Sequence, residues 1–97
     1  MNLPMRLKGK CTVVTGGARG IGKAIAKRFI AEGAKVVIAD IDSVQGSNAA
    51  EEIGASFHKT DVSSKIEVEA LVEQVVQMFG SIDVVVNNGN KNFVVLK

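Results

Sequence analysis

The sequence predicts an open α/β fold in a single domain, with a parallel sheet of about four strands covered by three helices. Short apolar runs rich in β-branched residues alternate with longer segments of helical periodicity, and only a few residues separate one element from the next. Parallel neighbours need a crossover connection, which is usually a helix. The chain has 97 residues, which is enough for one such unit.

The first strand and the first helix are predicted on either side of a glycine-rich turn. Residues 11–15, CTVVT, form a β-rich run that ends in glycines. From Ile21 the apolar residues repeat with helical spacing, and Glu32-Gly33 closes the helix because glycine readily adopts the left-handed conformation found there. The only cysteine, Cys11, lies in the apolar run and is expected to be a small buried side chain.

A second strand and a second helix follow. Residues 35–40, KVVIAD, are apolar on both faces, as expected of a buried parallel strand. A helix capped by Asp42 or Ser43 is predicted to end at Gly54. Its interior Gly46 makes it the weakest of the three helices, because glycine is a poor helix former.

The last predicted elements are a short strand, a capped helix and an apolar strand. Residues 55–59, ASFHK, form the short strand. Ser64 and Glu67 have the spacing of a capping box, which predicts a helix that runs to Gly80. Residues 82–88, IDVVVNN, form the fourth strand, with three consecutive valines.

The composition excludes several classes of protein. Hydrophobic residues make up 46% and charged residues 23%, which is typical of a globular chain and not of a disordered one. A net charge of +2 without a basic run argues against a nucleic-acid partner. A single cysteine excludes an internal disulfide. The first residues contain no apolar segment of the kind found in secretory signals, and no apolar stretch is long enough to span a membrane, so we expect neither a signal sequence nor a membrane span. We therefore expect a cytoplasmic location and no membrane partner.

The glycine-rich stretch TGGARGIGKA, residues 15–24, has two incompatible interpretations, and one of them is an ATP-binding loop. From Gly17 the pattern is Gly-x-x-x-x-Gly-Lys, which is nearly a phosphate-binding P-loop. That loop needs a Ser or Thr after Lys23 to coordinate Mg²⁺, and this chain has Ala24. The ATP interpretation is therefore disfavoured, and Lys23 is expected to face solvent in the first helical turn.

The other interpretation is a dinucleotide-binding turn that runs from Gly16 to Gly22. A helix N-terminus after such a turn attracts phosphate through its unpaired N–H groups and its dipole. Asp40 ends the second strand eighteen residues after Gly22, where a carboxylate accepts hydrogen bonds from a ribose diol. The same charge repels a 2′-phosphate, which predicts NAD over NADP, whereas Arg19 favours the extra phosphate. A glycine turn beside a solvated aspartate remains the purely structural alternative.

Four features stand in one order and at one spacing: TGGARGIG at 15–22, Asp40, Asp61-Val62, and VNNG at 86–89. Together they resemble the N-terminal part of the short-chain dehydrogenase/reductase family over about residues 7–89. The resemblance implies a Rossmann-like doubly wound parallel sheet, truncated to about four strands and three helices. It also implies that residues 1–97 form one partial NAD-binding domain.

The resemblance also implies roles for individual residues. The glycine turn, with Arg19 and Ile21, would touch the pyrophosphate and the nicotinamide side of the cofactor. Asp40 would bind the ribose, and Asp61 with Val62 would meet the adenine. The full set of implied cofactor-binding residues is Gly16, Arg19, Gly20, Ile21, Asp40, Asp61, Val62 and Asn88.

Three further residues have roles implied by the resemblance. Gly22 matches the glycine of close helix packing, while one of Asn87 and Asn88 would brace the sheet and the other would lie near the adenosine ribose. From the residues alone, Asp61 is a turn residue before a helix, and the asparagines satisfy backbone groups at a strand end. Both interpretations remain open at this point.

The sequence departs from the family pattern at its C-terminal end. The family's Asn-Asn-Ala-Gly is NNGN at 87–90, and residues 90–97 form a divergent tail. The catalytic Tyr-x-x-x-Lys and its preceding Ser belong beyond residue 97, and the chain has no tyrosine. We therefore assign no catalytic residue and no metal ligand, and we expect a solvated or structural role for His58, the only histidine.

The implied function is the NAD(H)-binding segment of an oxidoreductase that transfers hydride between NAD and a secondary alcohol or ketone. The segment would be inactive alone, and the small-molecule substrate would bind only in a complete parent. The alternatives are a non-catalytic nucleotide-binding or protein-interaction module and, less favoured, a degenerate P-loop. Residues 82–88 would form an exposed apolar edge that invites self-association, unless the FVVL run at 93–96 covers part of it.

Overall fold

The structure is a computed structural model that describes residues 6–88 and 92–95. Five strands and three helices alternate along the chain until the last two strands, which are consecutive. The elements are β1 (Cys11–Thr15), α1 (Gly20–Ala31), β2 (Lys35–Asp40), α2 (Ser43–Ile53), β3 (Ser56–Lys59), α3 (Lys65–Phe79), β4 (Val84–Asn87) and β5 (Asn92–Val95).

All five strands form one sheet in the order β3-β2-β1-β4-β5. The first four strands are parallel, with Val13 of β1 opposite Val37 of β2 and Val85 of β4. The predicted doubly wound sheet of four parallel strands and three helices is therefore confirmed. Its central strand is β1, so the turn that follows β1 lies near the middle of the sheet edge.

The fifth strand changes one expectation. β5 pairs with β4 in the antiparallel direction, from Asn87 opposite Asn92 to Val84 opposite Val95. The expectation that residues 82–88 form an exposed edge is wrong, because β4 has a neighbour on each side. The alternative, in which the run at 93–96 covers part of that edge, is confirmed for residues 93–95. Gly89 and half of the divergent tail predicted over 90–97, namely residues 90, 91, 96 and 97, lie outside the described residues.

The helix caps follow the predicted residues, with one difference. Asp42 caps α2 by accepting the Gln45 backbone N–H at 3.0 Å, and Ser64 caps α3 by accepting that of Glu67 at 3.3 Å. In a capping box, Glu67 would reach back to the Ser64 N–H. Its Oε1 instead accepts the Asp61 N–H at 2.9 Å, which ties the preceding turn to the helix.

The core has two layers, one on each face of the sheet. α1 and α2 cover one face with residues that include Ala26 and Ala49, whereas α3 alone covers the other with Leu71 and Val75. Cys11 is buried as expected. Among residues 6–88 and 92–95, no helix is both long enough and apolar enough to cross a bilayer.

Candidate functional site

The glycine turn after β1 is held tightly against the start of α1. Gly16 and Gly20 adopt left-handed φ angles of 64° and 60°, which glycine tolerates best. A Cβ on Gly22 would overlap the carbonyl oxygen of Gly16, so only glycine lets the helix lie this close to the turn. The predicted close-packing role of Gly22 thus has a direct steric basis.

The N-terminus of α1 has the properties of an anion site. Arg19 is its N-cap, with an extended backbone and no side-chain hydrogen bond to the cap, and the first turn contains no acidic residue. The first N–H groups of the helix therefore have no carboxylate or hydroxyl acceptor from the cap. Their partial positive charge suits a phosphate group. Arg19 and Gly20 are exposed, and Ile21 is 67% exposed.

Asp40 lies at the carboxyl end of β2, next to this turn. Its Oδ2 accepts the backbone N–H of Ala18 at 3.2 Å, and its Oδ1 accepts that of Asp42 at 3.0 Å. The carboxylate is half-buried and oriented by the backbone on both sides. Each of its oxygens has a second lone pair, so it can accept further hydrogen bonds from a ligand.

A cleft of about 190 Å³ opens beside Asp40. It brings together residues from the ends of three strands, and two exposed apolar side chains, Ile41 and Val62, are suited to contact a flat ring. Its lining consists of Gly16, Ala39, Asp40, Ile41, Thr60, Asp61 and Val62. Four of the sequence-predicted site residues therefore lie around one cleft, whereas Ile41 and Thr60 were not predicted.

Asp61 has a structural role as well as a place in this cleft. Its Oδ1 accepts the hydroxyl of Ser63 at 2.6 Å and the Ser63 backbone N–H at 2.9 Å. Both hydrogen bonds lower the pKa of the Asp61 carboxyl from its ordinary value, and the bond from the Ser63 hydroxyl has the larger effect. Asp61 is thus the turn residue expected from its chemistry alone, and it also lines the cleft.

The two asparagines at the end of β4 are anchored by a threonine. Thr15 Oγ1 accepts the Asn88 backbone N–H at 3.1 Å and lies 3.3 Å from the Val86 carbonyl oxygen, to which it donates. Asn88 Nδ2 lies 3.5 Å from the Gly16 oxygen, and Asn87 Oδ1 lies 3.5 Å from Thr15 Oγ1. Asn88 thus braces the glycine turn. Thr15 positions the end of β4 through its hydroxyl, a role that the sequence did not predict.

A second, larger cleft separates the start of α1 from α2. Its volume is about 370 Å³, and its lining includes Ala18, Arg19, Gly20, Lys23 and Glu52. Lys23 Nζ lies 2.9 Å from Glu52 Oε1. The ammonium hydrogen bond, together with its charge, lowers the pKa of the Glu52 carboxyl. Lys23 is therefore half-buried in an ion pair, in contrast to the expected solvent-facing side chain.

His58 lies in the edge strand β3 and forms a local hydrogen bond. Its Nδ1 is 2.9 Å from Thr60 Oγ1, and that hydroxyl donates its only proton to the His58 carbonyl at 3.2 Å. This local contact agrees with the expected structural role. Within the part of the chain that the structure describes, no three His, Cys, Asp or Glu side chains are grouped as metal ligands are.

Comparison with known proteins identifies what this arrangement resembles. Residues 10–93 match the family model described as short chain dehydrogenase. Over 86 residues the chain is 48% identical to galactitol 2-dehydrogenase of Agrobacterium fabrum, covering 87% of this chain and 34% of that protein.

Solved structures show the same fold. A short chain dehydrogenase from Mycobacterium smegmatis superposes with a TM-score of 0.85 at 35% identity, covering 91% of this chain and 40% of that one. The 3-ketoacyl-(acyl-carrier-protein) reductase of Brucella melitensis, solved in complex with NADH, has a TM-score of 0.79 at 40% identity over 81% of this chain and 33% of that one. The chain thus spans about a third of the length of the relatives that it matches.

Proposed function

The chain belongs to the short-chain dehydrogenase/reductase family, and we propose that it is the NAD(H)-binding part of an oxidoreductase. The observation that carries this proposal is Asp40. Its carboxylate ends β2 beside the glycine turn, is held by two backbone N–H groups, and faces an open cleft. A dinucleotide-binding fold uses an acid at this position to bind the adenosine ribose.

The residues present fit a bound dinucleotide. The first N–H groups of α1 have no acceptor from the Arg19 side chain and would bind the pyrophosphate. Asp40 would accept the ribose hydroxyls, while Ile41 and Val62 would cover the adenine. Gly16, Gly20 and Ile21 would lie along the cofactor, Asp61 at its adenine end, and Asn88 would position the turn. When bound, the cofactor supplies the hydride donor or acceptor.

The charge of Asp40 favours NAD over NADP in this proposal. A carboxylate that binds a ribose diol repels a 2′-phosphate at the same place, whereas the exposed Arg19 attracts one. Asp40 is expected to dominate because it is oriented in the cleft by two backbone donors. Use of a nicotinamide cofactor is supported by the family and by the NADH complex of the Brucella relative.

The proton transfer of the reaction needs residues outside this sequence. Reduction of a ketone requires an acid that donates to the oxygen as the hydride arrives. The family's tyrosine performs this step, and the 97 residues contain no tyrosine. We therefore propose that this chain alone binds the cofactor without turnover, and that a small secondary alcohol or ketone reacts only in a complete parent. The single cysteine supports our proposal of a cytoplasmic location.

The test is a set of binding titrations with the purified 97-residue chain. NADH should bind, NADPH should bind more weakly, and Mg-ATP should not compete, because Ala24 offers no metal ligand. Alcohol oxidation should be absent. Binding of Mg-ATP without binding of NADH would favour the P-loop alternative and overturn the proposal.

Substitution of Asp40 makes the test specific to this site. D40A should weaken the binding of NADH and reduce the difference in affinity between NADH and NADPH, since hydrogen bonds to a charged group are worth roughly 1–3 kcal/mol. The matched control is D42A. The Asp42 carboxylate also accepts a hydrogen bond from a backbone N–H, that of Gln45, but Asp42 does not line the cleft. If D40A and D42A had the same effect on cofactor preference, Asp40 would not contact the ribose.

The protein-interaction alternative has one observation in its favour. β5 is the last strand on one side of the sheet, and among residues 6–88 and 92–95 no further strand pairs with its outer edge. Unpaired strand edges can pair with another chain, and we propose self-association through this edge. Sedimentation measured over a hundredfold range of concentration tests it, and a monomer throughout would rule it out.

A further inference from the structure

The cleft between α1 and α2 is adjacent to the proposed ribose site but is not part of it. Ala18 connects the two, because it lines this cleft and its N–H donates to the Asp40 carboxylate at 3.2 Å. Arg19 and Lys23 supply two positive charges to the lining, and Glu52 supplies one negative charge. A phosphate on the ribose hydroxyl near Asp40 would therefore lie close to the mouth of this cleft.

The Lys23 side chain reaches toward the last turn of α2 (Ser43–Ile53), whereas the first turn of α2 is the one that follows Asp40 in the chain. Side chains on an α-helix normally lean toward its N-terminus, which for Lys23 is the end of α1 that carries Arg19 and Gly20. Its ammonium group instead pairs with Glu52 in the eleven-residue helix α2, at 2.9 Å. Glu52 is ionised at neutral pH as glutamates ordinarily are, and the Lys23 ammonium lowers the pKa of its carboxyl further. Arg19 is then the cation of the cleft lining without an ion pair among the described residues.

We propose that Glu52 is a positioning residue for cofactor choice, which holds Lys23 away from the ribose end of the cleft and so disfavours NADP. This inference rests on the proposed function. In the absence of the Glu52 charge, Lys23 can extend toward Arg19, and a 2′-phosphate beside Asp40 then meets two cations instead of one. Glu52 thus adds to the selectivity of Asp40 without touching the cofactor.

The variant that tests this is E52Q, compared with E51Q. Both changes remove one negative charge from an exposed position of α2, but Glu51 does not line the cleft. The measurement is the ratio of the dissociation constants of NADPH and NADH, obtained by fluorescence titration at low ionic strength. E52Q should lower this ratio about two- to fivefold, the size of one solvent-exposed charge contact, and E51Q should leave it unchanged.

The double variant K23Q/E52Q identifies the route. The proposed effect passes through the Lys23 ammonium, so the double variant should return the ratio to its original value. The gain in E52Q should also shrink as salt is added, because salt screens exposed charges. A purely structural role of the ion pair would change the unfolding temperature, or both affinities together, and would leave the ratio unchanged.

Two outcomes would overturn the inference alone, and a third would overturn it together with the proposed function. If the unaltered chain binds NADH in an Asp40-dependent way but E52Q and E51Q give the same ratio, the inference alone fails. It also fails alone if the altered ratio persists in K23Q/E52Q. If the unaltered chain binds neither cofactor, the proposed function fails and the inference fails with it.

Discussion

At the scale of single residues, the glycine turn depends on an approach between backbones that no side chain permits. A Cβ at Gly22 would overlap the Gly16 carbonyl oxygen and lie 3.0 Å from Asn88 Nδ2. Asn88 in turn donates to that carbonyl. One added methyl group would therefore disturb the turn and the asparagine that braces it.

We predict that G22A destabilises the fold by roughly 1–3 kcal/mol, the usual size of an overpacking penalty, and abolishes detectable NADH binding. The measurements are urea unfolding and cofactor titration. The control is G9A: Gly9, unlike Gly22, has a positive φ, but it has open space around it and lies outside the site. G9A should lose some stability through backbone strain and keep its NADH affinity. Equal NADH binding by G22A and the unaltered chain would contradict the prediction.

Asp61 provides a prediction of pH dependence. Its pKa is lowered by the hydrogen bond from the Ser63 hydroxyl and, to a smaller extent, by the bond from the Ser63 N–H. Ionised Asp61 therefore stabilises the turn. A carboxylate with a lowered pKa contributes stability above the pKa of the unfolded chain, and that contribution is lost as the pH falls through the folded-state pKa. S63A should move the Asp61 pKa upward toward its ordinary value, whereas S63T should restore it. The measurement is the chemical shift of the Asp61 carboxyl carbon as a function of pH. An Asp61 pKa in S63A equal to that of the unaltered chain would contradict the prediction.

Some of these residues could be predicted from the sequence and others could not. The position of Asp40 could be predicted, because one helix and one strand together span about eighteen residues. An acid eighteen residues after Gly22 therefore returns to the same edge of the sheet as the glycine turn. Thr15 could not, because its partners Val86 and Asn88 are more than seventy residues away in sequence. A threonine at a strand end has no local pattern that indicates such contacts. The same holds for Glu52, whose partner is in another helix.

At the scale of elements, Gly46 shows how tertiary packing overrides helix propensity. Glycine inside a helix predicts a weak α2, since alanine is the better helix former by about 1 kcal/mol. In the structure, however, a Cβ on Gly46 would overlap the ring of Phe57, which packs from β3. Glycine is therefore required for the contact between the helix and the strand.

We predict that G46A lowers the free energy of unfolding by about 1–3 kcal/mol, despite its better helix propensity. The control is S47A, at the next and exposed position, which should be neutral or slightly stabilising. Denaturant unfolding of both variants measures the difference. A stabilised G46A would mean that Phe57 does not pack against this helix. The double variant G46A/F57A should show that the two residues are coupled, because the overlap disappears with the ring.

The ends of the elements show what local sequence can determine. The caps at Asp42 and Ser64 were predicted because they act on backbone groups within three residues. The fourth strand is shorter than the predicted 82–88, and Asp83 explains its start. Asp83 Oδ2 accepts the Cys11 N–H at 2.8 Å, so the side chain takes a hydrogen bond that an extended strand would have made. A contact between residues 72 positions apart is not visible in a local pattern.

At the scale of the whole molecule, the two faces of the sheet are unequally covered. α1 and α2 pack on one face, whereas α3 alone packs on the other. An apolar groove of about 230 Å³ remains beside α3, and its lining includes Val13, Val72 and Val85. Native domains are stable by only about 5–15 kcal/mol, a small difference between large opposing terms. A ligand that binds only the folded chain should therefore change its stability measurably.

We predict that NADH raises the unfolding temperature of the 97-residue chain. A ligand at one hundred times its dissociation constant adds about 2.7 kcal/mol to the stability of the folded state. For a domain of this size that corresponds to a rise of about 10–20 °C. Thermal unfolding followed by circular dichroism, with NADH added in steps, measures it.

The controls for this prediction come from the site itself. Nicotinamide mononucleotide lacks the adenosine that the cleft of Asp40, Ile41 and Val62 would hold, so at the same concentration it should give a much smaller rise. D40A should require more NADH than D42A for the same rise, because only Asp40 lines that cleft. An equal rise with the mononucleotide and with NADH would place the binding energy away from this cleft. Because β1, β2 and β4 end at the site and α1 begins there, binding there should stabilise the sheet as a unit and keep the unfolding transition cooperative at every NADH concentration.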